Sequence, residues 1–79
     1  MLSINQQTIK QQCASFHVLE ACFSTCWFTQ EGEARVLVAC NNKAYNFSDP
    51  DLNVIIMQLA HLYKRIKIEH NERYIDLPG

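Results

Sequence analysis

The chain of 79 residues is 48% hydrophobic and has only two glycines and two prolines, which excludes a disordered linker and leaves room for one hydrophobic core. Seven basic and eight acidic residues give a net charge of −1, which argues against binding driven by the neutralisation of nucleic-acid phosphates. Met1 to Gln12 lacks the charged and apolar regions of a signal peptide, and no apolar run reaches membrane-spanning length. We therefore predict a single domain, residues 1–79, that is cytoplasmic, has no membrane partner and keeps its four cysteines reduced.

The first predicted element is a helix from about Asn5 to Leu19. Ser3 and Gln6 have the spacing of a capping box, in which each side chain satisfies a backbone donor of the other residue. The end of this helix is unmarked, so the segment from His17 to Ala21 either extends it or begins the next strand. Its apolar residues form a narrow stripe at helical spacing: Ile4, Ile9, Cys13 and Phe16.

Between Cys22 and Phe47 the sequence predicts a three-stranded antiparallel meander. Asn41-Asn42 fits a two-residue hairpin turn, because asparagine tolerates positive φ, and this turn pairs Val38 with Tyr45. Glu31-Gly32 offers a second two-residue turn, which sets Trp27 opposite Val36. In this register the predicted core face carries Phe23, Thr25, Trp27, Val36, Val38, Cys40, Tyr45 and Phe47.

The second face of the predicted sheet is a candidate binding surface. It is small and apolar with few charges, whereas a solvated antiparallel face normally alternates to polar residues. Three explanations stay open: a helix of the same chain covers it, another chain docks on it, or a one-residue slip in register exchanges the two faces. We expect a partner to contact Cys26, Phe28, Arg35, Leu37, Ala39 and Ala44.

The second helix is predicted to begin after a cap at Ser48 or Asp49, with Pro50 in its first turn. A tail from Glu72 to Gly79 then alternates in polarity, which suits a short edge strand or a docked extension. The predicted fold is α+β, in the order α-β-β-β-α, with the meander packed on the long C-terminal helix. That helix presents an apolar stripe to the sheet: Leu52, Ile55, Ile56, Leu59, Tyr63 and Ile66.

No segment has the signature of a catalytic site or a cofactor site, so we predict a non-catalytic protein-interaction module. An adaptor, an inhibitor and an immunity-type protein all fit, and we expect a homodimer that also binds another protein. One alternative is a thiol-based metal or redox site built from Cys13, His17, Cys22 and Cys26, although Cys22 and Cys26 would lie roughly 13 Å apart along a strand. The other alternative is RNA binding through the basic end of the second helix: Lys64, Arg65, Lys67 and Arg73.

Overall fold

The computed structural model describes the backbone of residues 1–75 and the side chains of residues 1–71. Its elements are helix α1 (Ile4–Ser15), a 3₁₀ turn (Phe16–Val18), strands β1 (Cys22–Phe28), β2 (Ala34–Cys40) and β3 (Lys43–Asp49), and helix α2 (Leu52–Ile75). The strands form one antiparallel sheet in the order β1-β2-β3. The predicted α+β fold and its order of elements are therefore confirmed.

Local capping explains where each helix begins. The Ser3 hydroxyl accepts the Gln6 N–H (3.1 Å) and the Gln6 side chain accepts the Ser3 N–H (2.8 Å), which is the predicted capping box. At the start of α2 the cap is Asp51, whose carboxylate accepts the Asn53 N–H (2.9 Å), and not Ser48 or Asp49 as predicted.

Both helices end at positions other than the predicted ones. Helix α1 stops at Ser15, and after the 3₁₀ turn the backbone is extended at Leu19. Helix α2 continues to Ile75, so the predicted tail strand is wrong for residues 72–75, while residues 76–79 lie outside the described part of the chain.

The two hairpins differ in how well their sequences predict them. Asn41 and Asn42 both take positive φ (52° and 67°), and Val38 pairs with Tyr45 as predicted. The first hairpin instead has a three-residue loop, residues 30–32, because the Thr29 N–H donates to the Glu33 carbonyl (2.9 Å). This extra loop residue moves the register by one position.

The slip exchanges the two faces of β1. Trp27 lies opposite Arg35, and Cys26 lies opposite Val36. Phe23, Thr25 and Trp27 therefore leave the predicted core face. The residues of β1 that share the face of Val36 and Val38 are Cys22, Ser24, Cys26 and Phe28.

Both helices cover the same side of the sheet, so the domain has two layers and one core. No helix within residues 1–75 combines the length and the apolar character that crossing a membrane requires. The buried apolar residues come from α1 with its 3₁₀ turn, from β2 and from α2: Ile9, Cys13, Phe16, Ala34, Val36, Val38, Cys40, Ile55, Leu59, Leu62 and Ile66.

A disulfide joins β1 to β2. Cys22 and Cys40 are direct cross-strand partners with their Cα atoms 4.2 Å apart, close to the spacing of about 4.5 Å in non-hydrogen-bonded pairs. The prediction that all four cysteines are reduced, which rested on the absence of a signal peptide, is wrong for these two. The predicted register had also set Phe23 and not Cys22 opposite Cys40. Cys13 and Cys26 are free thiols.

Candidate functional site

The side of the sheet that neither helix covers is the candidate site, and we call it the open face. Cross-strand pairing arranges it in three rows that run from β1 across β2 to β3. These rows are Phe23-Ala39-Ala44, Thr25-Leu37-Asn46 and Trp27-Arg35-Ser48.

Two aromatic side chains on β1 stand out from the open face. Phe23 is 56% exposed and Trp27 is 57% exposed, although large aromatic side chains are usually well buried in a folded domain. The Phe23 ring stacks on the imidazole of His17, with ring centroids 5.9 Å apart, so the aromatic surface continues around the edge of β1. Ala39 and Ala44 beside Phe23 leave the surface there low enough to receive a side chain from another molecule.

Arg35, on the central strand in the row with Trp27 and Ser48, carries the positive charge of the open face, and its partners hold its side chain in place. Its Nη2 lies 3.1 Å from a carboxylate oxygen of Glu33, and its Nη1 donates to the Ser48 hydroxyl at 3.1 Å. A guanidinium has five N–H donors, so donors remain for an acceptor on another molecule. Next to it is a shallow cavity of about 180 Å³, whose lining includes Thr25, Trp27, Arg35, Leu37 and Asn46.

Four of the six predicted contact residues meet on this surface: Arg35, Leu37, Ala39 and Ala44. Cys26 and Phe28 lie on the opposite, helix-covered face, where they pack against the core. The sequence reasoning missed Phe23, Thr25 and Trp27. Gly32 takes positive φ (86°) as the last residue of the three-residue loop, but it would suit a two-residue turn equally well, so the sequence holds no signal that separates the two registers.

The cysteines of the alternative thiol site do not come together as an exposed cluster. Cys22 is held in the disulfide with Cys40. Burial, followed by the charge and hydrogen bond of the neighbouring Cys26 thiol, raises the pKa of Cys13 to about 12. Because the thiolate is the nucleophile and the metal ligand, Cys13 in this environment is a weak candidate for either role.

His17 fastens the 3₁₀ turn to β1 and does not point toward a thiol site. Its Nε2 lies 3.2 Å from the amide nitrogen of Ser24 and 3.0 Å from the Ser24 carbonyl oxygen. The buried Ser24 hydroxyl donates to the Cys13 carbonyl. The Nε2 atom of His17 thus lies against the outward-facing N–H and C=O of Ser24, and at this point it shields the outer edge of β1 from pairing with another strand.

The described residues contain no group of three or more His, Cys, Asp and Glu side chains placed to hold a metal ion. At the basic end of α2, the Arg65 guanidinium lies 5.8 Å from the centre of the Tyr45 ring, so it packs along the sheet. Lys64 and Lys67 are exposed.

Comparison with protein-family models, with curated proteins and with solved structures finds no match for this chain.

Proposed function

We propose that the protein is a non-catalytic interaction module, an adaptor or an inhibitor, that docks on another protein through its open face. The observation that carries this proposal is the exposure of more than half of Phe23 and of Trp27 on a sheet face that both helices leave uncovered. Contiguous apolar surface of this kind marks association sites.

The energy available from this surface supports the proposal. A Trp or Phe side chain buries about 150–250 Å² when it is fully covered, so each of these half-exposed rings leaves roughly 100 Å² in water. At about 25 cal/mol per Å², covering both rings stabilises a complex by roughly 5 kcal/mol before the costs of association. Trp27 and Arg35 are direct cross-strand neighbours, and Trp and Arg are enriched among binding hot spots.

The charges on the open face indicate the chemistry of the partner. Arg35 is paired with Glu33, so the face is close to neutral and does not select a strongly charged surface. A suitable partner presents an apolar patch to the two aromatic rings and a carbonyl or carboxylate oxygen to the remaining donors of Arg35.

The rival functions have weaker support. A thiol site needs an accessible thiolate, whereas Cys13 is buried with a raised pKa and Cys22 is in a disulfide. RNA binding through α2 stays a prediction, and the acidic residues Asp49 and Asp51 near the start of α2 oppose phosphate there.

Photo-crosslinking from the open face in the native cells tests the proposal. The photoreactive residue p-benzoylphenylalanine replaces Thr25, which lies between Phe23 and Trp27 on the open face, and in a control protein it replaces Lys10, which is exposed on α1. We expect Thr25 to give an adduct with a foreign protein that Lys10 does not give, and we expect Leu37→Asp in the same chain to abolish it. Equal adducts from both positions, or none from Thr25, would contradict the proposal.

A further inference from the structure

The outer edge of β3 is open for pairing. Cys40 and Lys43 flank the two-residue turn and form a hydrogen-bonded pair, so every second residue along β3, through Tyr45 and Phe47, bonds to β2. The N–H and C=O groups of the intervening residues point away from the sheet. Within residues 1–75 these groups of Ala44, Asn46 and Ser48 have no hydrogen-bond partner.

The opposite edge of the sheet differs in this respect. At β1 the Cys22 N–H donates to the Leu19 carbonyl (3.3 Å), and the His17 ring covers the outward groups of Ser24. An edge with free backbone groups is a template for pairing with another chain. The asymmetry is one of degree: among the described residues the outward backbone groups of Cys26 and Phe28 on β1 also have no hydrogen-bond partner, whereas on β3 all three outward-facing residues have none, so the longer free edge is that of β3.

A groove runs beside this edge, between β3 and α2. Its volume is about 400 Å³, and its apolar lining includes Met57, which is 55% exposed. A chain that pairs with β3 therefore also gains apolar contacts along the groove, in addition to backbone hydrogen bonds. The lining residues from the sheet and helix include Tyr45, Phe47, Val54, Met57, His61 and Arg65.

We propose that the occupant of this edge is a second copy of the chain, paired antiparallel through β3 about a two-fold axis at Asn46. In this arrangement Asn46 lies opposite Asn46 of the partner copy, and Ala44 lies opposite Ser48. Tyr45 lies opposite Phe47 twice, and such aromatic cross-strand pairs contribute to sheet stability. The free backbone groups on both copies are then satisfied in hydrogen-bonded pairs.

Charge complementarity favours a second copy over an unrelated strand. Because α2 runs back along β3 and the two-fold axis reverses it, the acidic start of one α2 meets the basic end of the other. Gln58 lines the groove and is halfway in sequence between Asp51 and Arg65. A two-fold axis near Gln58 therefore brings Asp51 of each copy toward Arg65 of the other, with Asp49 and Lys64 flanking these positions.

This dimer enlarges the open face but does not depend on the function proposed for it. Three strands of seven residues span about 24 Å by about 14 Å, or roughly 340 Å², which is less than half of the about 800 Å² per partner in a standard interface. A continuous six-stranded sheet doubles that area. For this reason we place the predicted homodimer at the β3 edge and leave the open face to the foreign protein.

Light scattering after size exclusion tests the dimer on the full chain. We expect twice the chain mass for the wild type and a folded monomer for Asn46→Pro, since proline at this position removes a donor that faces away from β2. A monomeric wild type across the accessible concentration range would overturn the proposal, and so would an Asn46→Pro variant that stays dimeric.

A charge reversal provides a test that does not depend on proline. Arg65→Asp alone should raise the dissociation constant about tenfold or more, because like charges then meet, and adding Asp51→Asn, which keeps a capping oxygen for the Asn53 N–H but removes the repelling charge, should restore dimerisation in part. Lys67→Asp makes the same change of charge at a position outside the groove lining and should leave the dimer intact. Trp27→Lys alters only the open face, so loss of the dimer in that variant, or failure of the double variant to restore it in part, would overturn the edge assignment.

Discussion

The assignment of β1 side chains to the two faces makes a quantitative prediction for the neighbouring residues Trp27 and Phe28. Phe28 packs against the core on the covered face, whereas Trp27 is 57% exposed on the open face. Phe→Ala at a fully buried site costs about 3–5 kcal/mol, so we expect about 2 kcal/mol for the partly buried Phe28. Trp27→Ala should cost less than about 1 kcal/mol, within the range of strand propensities.

Urea denaturation followed by far-UV circular dichroism measures both free energies of unfolding without depending on Trp27 fluorescence. For a domain of this size, a change of about 1 kcal/mol in the free energy of unfolding also corresponds to about 4–8 °C in the melting temperature. The expected difference between the two variants is therefore large enough to be well resolved. Val38→Ala is the control, because Val38 is fully buried and faces the core in either register of β1. If Trp27→Ala destabilises the protein more than Phe28→Ala does, the register with the three-residue loop is refuted.

Three further predictions concern the cysteines and the edge of β1. The disulfide closes a separation of 18 residues, so its reduction should lower the free energy of unfolding by up to about 3 kcal/mol, and the double variant Cys22→Ala, Cys40→Ala should no longer respond to reductant. Burial raises the pKa of the Cys13 thiol to about 12, so the folded protein holds this proton more tightly than the unfolded chain, in which a cysteine titrates near about pH 8.5. The free energy of unfolding should therefore fall by up to about 1.4 kcal/mol per pH unit as the pH rises above about 8.5, the pKa of cysteine in the unfolded chain. The same slope in Cys13→Ala would show that the Cys13 thiol is not its cause. His17→Ala should speed amide hydrogen exchange at Ser24, and an unchanged rate would show that the imidazole does not protect that edge.

The second hairpin could be predicted from the sequence because its turn residues allow only one loop length and therefore one pairing of the strands. Two adjacent asparagines with positive φ specify a two-residue loop, and that loop fixes the pairing of β2 with β3. The existence of α2 was also predictable, since no glycine or proline interrupts the chain between Pro50 and Ile75, but its end was not, because the alternating polarity from Glu72 onward suggested a strand.

The register of the first hairpin could not be decided from its residues alone. Gly32 suits positive φ both in a two-residue turn and at the end of a three-residue loop. Strand β1 carries large apolar residues on both faces, with Phe23 and Trp27 on one and Phe28 on the other, so its hydrophobic pattern does not choose between them. The disulfide depends on the same register, since only the three-residue loop sets Cys22 opposite Cys40, and the absence of a signal peptide had separately favoured reduced thiols.

The central claim is that the open face docks on another protein, and crosslinking from Thr25 in the native cells tests it most directly. We predict a specific adduct with a foreign protein from Thr25, no such adduct from Lys10, and its loss with Leu37→Asp. An adduct of twice the chain mass would place the homodimer on the open face and contradict the division of surfaces. The absence of any adduct specific to Thr25 would contradict the claim that this face is an interface.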